Sequence, residues 1–403
     1  MRKDMWGDMP KKYDIVVAGG GPSGLSAAIK AASMGCNVLV LEMQSQIGGL
    51  GQPAWVDDRI GSTVPSSVLA SVRKVGFRTP SVSLDVRGNF GVVLDRRDFD
   101  RGLAIKAADA GVEIWLSAPV RDFVMEGGRV AGVKIGVGGW SEEVRADVVI
   151  DATGARGEWS GLFLKKISGK EWAREELAFS SEYLLANFEQ KKVSLLFNSY
   201  LTPSGHAWVY PCGSGVSSAG VQGIRINPEL ALDELIGRNA IDGIKKSVTV
   251  ASFRSQCPIV GPLDSACSDG VVAVGSAAGH VYQFSMRGLR HAIGAGEIAG
   301  EVAAESINSG DFSKDRLSEF DTLLKDRFSH DFFLGSVLRE ALGSFSDRKM
   351  SLILSEVEGD RRLGRAVVDL FLCRNLKKSV EIIMENKALS EIFGRRLLEG
   401  QHS

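Results

Sequence analysis

The sequence predicts an α/β fold in three parts: a parallel-sheet domain, an inserted antiparallel β-sheet and an α-helical C-terminal region. Three observations carry this reading. Near the N-terminus, two apolar runs flank a turn with three glycines at fixed spacing. Between Ala155 and Pro262, apolar residues alternate and are broken by Gly, Ser and Pro. From Asp311 onward glycine becomes scarce, and charged residues alternate with Leu, Ile, Phe and Val at helical spacing.

The chain has 403 residues, of which 44% are hydrophobic and 24% charged, so it can bury a large core and divide into several units. Its 48 basic and 49 acidic side chains leave no cationic excess for phosphate backbones, which argues against a nucleic-acid partner. Five cysteines (Cys36, Cys212, Cys257, Cys267 and Cys373) form no CxxC pair, and five histidines complete no metal pattern. We therefore expect no metal centre and a reducing, cytoplasmic setting. The opening MRKDMWGDMPKK lacks the apolar core of a signal peptide, and no run approaches the ~18 apolar residues of a membrane span.

Each element of the first part has a physical reason. Tyr13 to Ala18 (YDIVVA) reads as a buried parallel strand, Leu25 to Met34 as a small-residue helix ended by Gly35, and Asn37 to Leu41 as a second strand. Between strand and helix, Gly19, Gly21 and Gly24 form GxGxxG. Gly19 permits the tight turn, Gly21 lets a pyrophosphate approach the backbone, and Gly24 lets the helix pack on the sheet. The helix N-terminus then offers unpaired N–H groups and partial positive charge to the phosphates. Glu42, at the tip of the second strand, suits both ribose hydroxyls and repels a 2′-phosphate, which disfavours NADP. Strand, turn, helix, strand and terminal acid within ~30 residues predict a Rossmann-like dinucleotide site.

Three further segments select the dinucleotide: MQSQIGGLG after Glu42, DVVIDATG at Asp147 to Gly154, and GVVAVGSAAG at Gly270 to Gly279. With the first turn, they resemble the flavoprotein family of geranylgeranyl reductases and aromatic hydroxylases over most of Asp14 to Glu305. The resemblance implies FAD held by Gly19, Gly21, Pro22, Ser23, Gly24, Glu42, Met43 and Gly49. It adds Arg96 from the stretch LDRRDFDRG, Val120 at the adenine edge, and Ala152, Thr153 and Gly154 beneath the cofactor. It also implies contacts from Gly275, Ser276, Arg287, Gly288 and Leu289. A helix beginning near Gly288 would aim N–H groups at the flavin edge that carries negative charge when reduced. The chain departs from the family pattern at Ser276, where an aspartate is usual, at Gln283 for a proline, and at Met286 and Arg287 for two glycines.

KVSLLFNSY, HAWVYPCG and VSSAGVQGI read as strands of the antiparallel sheet. HAWVYPCGSGVSSAGVQG resembles the reductase pattern Y-x-W-x-F-P followed by a glycine-rich strand. The resemblance implies that Trp208 and Tyr210 line a tunnel for a hydrophobic isoprenoid chain; Tyr282 and Met286, in the last cofactor segment, are further candidate substrate contacts. Packing of Trp208 and Tyr210 in an ordinary core is the competing account. Tyr210, Cys212 and His206 are candidate proton donors, since each carries a transferable proton beside that strand.

The expected organisation is an FAD-binding domain from 1–60, 90–160 and 263–310, a substrate-binding cap from 61–89 and 161–262, and a helical region at 311–403. Four amphipathic helices are predicted there, in DRLSEFDTLLKDRF, FFLGSVLREALGSF, KMSLILSEVEG and SVEIIMENKALSEIFGRRLL. The stretch VVDLFLCRNLKKSVEIIMENK joins apolar and basic residues, which suits core packing or peripheral contact with a membrane. The whole resembles an FAD-dependent oxidoreductase that reduces carbon–carbon double bonds in a polyprenyl or geranylgeranyl lipid precursor. A second GxGxxG domain is absent from the sequence, so electrons would come from an external donor: NAD(P)H, reduced flavin or a ferredoxin-like carrier. A flavin-dependent monooxygenase or halogenase, and a non-catalytic nucleotide binder, are the alternatives.

Overall fold

The computed structural model describes residues 12–48, 51–137 and 140–394. Gly49, most of the polar opening, residues 138–139 and the end of the last predicted helix lie outside them. Tyr13–Ala18 lies between Val38–Leu41 and Trp140–Asp151, parallel to both, with Val16 opposite Leu39 and Val149. Ile15, Val16 and Val17 are wholly buried, as expected for a strand covered on both faces. Val271–Ala273 and Glu113–Trp115 extend this sheet in parallel on either side. Val120–Glu126 and Arg129–Val137 continue from Trp140–Asp151 as antiparallel strands.

The glycine turn leads into the helix Pro22–Ser33, which starts with proline at its first turn and ends before Gly35 at φ +92°. It begins earlier than the sequence reading, because Pro22 and Ser23 tolerate helical geometry directly after Gly21. A second helix, Leu289–Ser309, lies tightly along it. Gly296 and Gly300 make this approach possible, since Cβ atoms there would fall 2.2 Å from the Ser23 carbonyl and 2.3 Å from that of Ala27.

The second sheet has seven strands in the order Val248–Pro258, Leu177–Ala186, Val216–Gly223, His206–Gly213, Val193–Leu196, Lys74–Arg78 and Ser83–Arg87. One face packs Leu185, Val209, Ala219 and Val221 against the helix Pro228–Gly237. The other face carries Leu195, Trp208 and Tyr210 toward the C-terminal helices. A small sheet of Pro53–Val56, Val68–Ser71 and Val92–Asp95 lies beside them.

The C-terminal region differs from the predicted division. The first two predicted helices are one helix, Glu319–Gly343, after a four-residue helix at Lys314–Leu317. Nothing between Phe328 and Phe332 (residues S-H-D) breaks the backbone pattern. Asp347–Val357 follows as expected, and Arg361–Phe371 adds a helix that the four predicted ones omitted. The last predicted helix is divided into Leu376–Glu385 and Lys387–Phe393, because the Asn386 side chain caps a new start by accepting from Leu389 N–H.

Candidate functional site

Two helix N-termini and one sheet face enclose a cavity of about 330 Å³. Gly21, Pro22 and Ser23 line it from the first helix, and Gly288, Leu289 and Arg290 from the long helix. Neither helix has a side-chain cap on its first N–H groups. A Cβ on Gly21 would meet nothing within 4 Å, so the space above this turn is open. Gly19 and Gly24 do different work behind it: a Cβ on Gly19 would lie 2.4 Å from the Ala152 carbonyl, and one on Gly24 2.1 Å from that of Gly19. An open turn and uncapped helix ends that converge on it fit an anionic, extended cofactor such as a flavin dinucleotide.

The other predicted cofactor residues divide between wall and support. Ala152, Gly154, Ser276, Arg96 and Arg287 line the cavity. Arg96 is held there by two bonds of 3.1 Å to Asp100. Thr153 sits behind, donating through Oγ1 to Asp151 at 2.6 Å. Gly275 turns at φ +66° against Ser23, and Val120 is buried in its strand. The Glu42 carboxylate accepts from Gly20 N–H and Gln44 N–H, both at 2.8 Å, while burial raises its pKa. Met43 is exposed.

The opposite wall is the antiparallel sheet. Trp208 and Tyr210 stack with centroids 5.9 Å apart and planes at 25°. Gly220 permits this, since a Cβ there would lie 2.3 Å from the Trp208 ring. Arg287 bridges the walls: its guanidinium donates to the Tyr210 hydroxyl at 2.8 Å and to the Trp55 carbonyl, and lies 4.8 Å from the Trp55 ring centroid. It is thus directed at the aromatic wall. Met286, at φ +54°, packs with Ala178 and Ile259 and lines the cavity. Tyr282 is wholly buried and stacked on His291, away from the cavity wall.

His206 and Cys212 also lie outside the wall. His206 sits 6.2 Å from Trp208 and bonds Gln222 at 3.1 Å, and burial pulls its pKa down to about 3. Burial pushes the Cys212 thiol and the Tyr210 phenol up, each to about 12. The structure adds an acid that sequence reading missed. Glu182 is 2% exposed and lines the cavity, and Ser218 Oγ donates to its Oε1 at 2.5 Å. Burial raises its pKa to about 7. Its one sequence signal was a lone charge within LAFSSEYLLA, at an alternating position. Another unforeseen cluster joins His291, Asp331 and Cys373, whose donor atoms lie within 4.8 Å of one another. Arg290 Nη1 is 2.5 Å from Asp331 and 3.3 Å from Cys373, so a guanidinium supplies the positive charge that the cluster needs.

This architecture defines a flavin-dependent oxidoreductase: a parallel sheet with an open glycine turn, a second helix tip and a roofing antiparallel sheet. A family profile described as FAD dependent oxidoreductase matches residues 14–156. Digeranylgeranylglycerophospholipid reductase 1 of Methanopyrus kandleri is 31% identical over 366 residues, covering 86% of this chain and 95% of that protein. The digeranylgeranylglycerophospholipid reductase of Thermoplasma volcanium is 29% identical, covering 93% and 98%. The crystal structure of a geranylgeranyl bacteriochlorophyll reductase-like protein from Thermoplasma acidophilum aligns with a TM-score of 0.82 at 25% identity, over 94% of this chain and 98% of that one. The flavin-dependent brominase Bmp2 shares the fold at a TM-score of 0.72 and 17% identity, over 97% and 99%. The chain belongs to the geranylgeranyl reductase family of FAD-dependent oxidoreductases.

Proposed function

We propose that this protein binds FAD and hydrogenates carbon–carbon double bonds in the polyprenyl chains of a lipid precursor. The observation that carries the reading is the pairing of opposite walls: uncapped helix ends on one side and stacked Trp208 and Tyr210 on the other. Gly21, Ser23 and the Gly288 to Leu289 tip would hold the diphosphate and ring of FAD, with Glu42 toward the ribose. When bound and reduced, FAD supplies a hydride to one alkene carbon. The chain's own residues bind and orient the lipid, exclude water and supply a proton.

Beyond the aromatic wall lies an apolar chamber lined by Phe197, Phe284, Leu338, Phe371 and Phe393. Leu372 and Cys373, next in sequence to Phe371, line the main cavity. A polyprenyl chain suits an apolar chamber that borders the cavity at Phe371, as each methylene buried contributes ~0.8 kcal/mol. Among the described residues no helix is long and apolar enough to cross a membrane. The lipid would then enter from a surface encounter, and an external donor would reduce the flavin.

The test is anaerobic incubation of the FAD-loaded protein with dithionite and a digeranylgeranylglycerophospholipid, followed by mass analysis. One H₂ gained per double bond is the expected result. An unchanged lipid, with oxygen-dependent halogenation of an aromatic substrate by the same preparation, would overturn the reading in favour of halogenase chemistry.

A further inference from the structure

Hydrogenation needs an acid as well as a hydride, and the sheet face that roofs the cavity contains one carboxyl group built into its pattern. Glu182 pairs with Gly220, and Gly220 pairs with Trp208 on the next strand. The three positions therefore share one row and one face of the sheet. Because Gly220 has no side chain, the Trp208 ring leans across it toward the carboxyl group. The indole N–H is near enough to help hold the carboxylate but lies outside hydrogen-bond geometry. Ser218, one pleat along, fixes Oε1.

We propose that Glu182 is the general acid that protonates the second alkene carbon. The inference rests on the polyprenyl-reductase reading above. In the step, the alkene π bond is consumed and each carbon gains one C–H bond. One carbon takes hydride from reduced FAD, and the other takes the proton of the Glu182 carboxyl. FAD is left oxidised and Glu182 is left as a carboxylate, stabilised by the Ser218 hydroxyl and the Arg287 charge. Water from the cavity mouth restores the proton.

The surrounding groups make this carboxyl distinct. Arg287, Tyr210, Cys212 and His206 face it or its row, and Arg290, His291 and Cys373 line or border the far side of the cavity. Burial raises the phenol and both thiols and lowers both imidazoles. Each of these shifts carries its group away from neutrality. Glu182, raised to about 7, is carried toward it, and a donor is most effective when its pKa lies near the working pH. Tyr210 at about 12 holds its proton far more tightly, and its oxygen already accepts from Arg287.

The experiment compares wild-type protein with Glu182→Gln and Glu182→Asp, using FAD, dithionite and a digeranylgeranylglycerophospholipid in detergent. Glu182→Gln should slow lipid hydrogenation ~100-fold or more, while FAD affinity and FAD reduction by dithionite stay within about twofold. Glu182→Asp should recover part of the rate. The wild-type rate should fall as pH rises through neutrality, and that limb should vanish in the Gln variant. Infrared difference spectra of the FAD-free protein provide a readout independent of turnover: a protonated-carboxyl band should titrate near neutrality and be missing from Glu182→Gln. A Gln variant that hydrogenates at the wild-type rate, or a carboxyl band unchanged by the substitution, overturns the proposal alone. A wild-type protein that leaves the lipid unreduced overturns the function on which it rests.

Discussion

At the scale of single residues, the site works through what burial does to charge. Glu182 has a folded pKa of about 7 against an ordinary 4.5, so the folded protein holds this proton more tightly than the unfolded chain. Its stabilising contribution is complete below pH 4.5 and declines as pH rises to about 7. The loss is roughly 3 kcal/mol across that window. Denaturant titrations should show a slope of this sign in the wild type, and a shallower one in Glu182→Gln, where the other buried carboxyl groups still contribute. Two glycines give a paired test of the turn. Gly21→Val points into open space and should weaken FAD binding ~10-fold or more with little change in melting temperature. Gly24→Val meets a carbonyl that already lies 2.1 Å from any Cβ, and should lower stability first. Flavin fluorescence titration and thermal unfolding separate the two effects.

At the scale of elements, the closeness of two helices sets the site. Pro22–Ser33 and Leu289–Ser309 converge because Gly296 and Gly300 present bare backbone to Ser23 and Ala27. Their N-termini consequently open onto one cavity, where their partial charges would act together on one bound anion. Gly296→Val should push the helices apart, costing about 1–3 kcal/mol or more, and should weaken FAD binding as well. Equal FAD affinity in a destabilised Gly296→Val protein would contradict this coupling. The glycine spacing of the first turn was legible because its job is local: φ, close approach and helix start involve neighbours in sequence. The pairing of the long helix with the first was not, since 270 or so residues separate Ser23 from Gly296.

At the scale of the molecule, the C-terminal helices close the face of the antiparallel sheet that the first domain leaves uncovered. Phe371 is the meeting point, with ring centroids 5.9 Å from Phe77 and Phe197, 5.7 Å from His206 and 4.7 Å from Phe284. Phe371→Ala should cost ~3–5 kcal/mol by emptying this junction. It should also join the main cavity to the apolar chamber, and so reduce discrimination between shorter and longer prenyl chains. Unchanged stability on chemical denaturation would show that the helices do not depend on this contact. Helical spacing revealed that this region is helical, but not where it divides. The continuity of Glu319–Gly343 and the new start at Asn386 depend on backbone bonds and a side-chain cap within the folded region.

The amino-acid sequence alone determined the dinucleotide turn, the alternating strands and the aromatic pair, because each is written in periodicities of a few residues. Only the tertiary structure decided that Glu182 faces the cavity, that Arg287 turns to Tyr210, and that Tyr282 and His206 lie behind the wall. These outcomes depend on strand register and on which sheet face meets which helix. A buried carboxyl acquires its unusual proton affinity from neighbours brought together by folding, and that environment has no signature in the letters beside it.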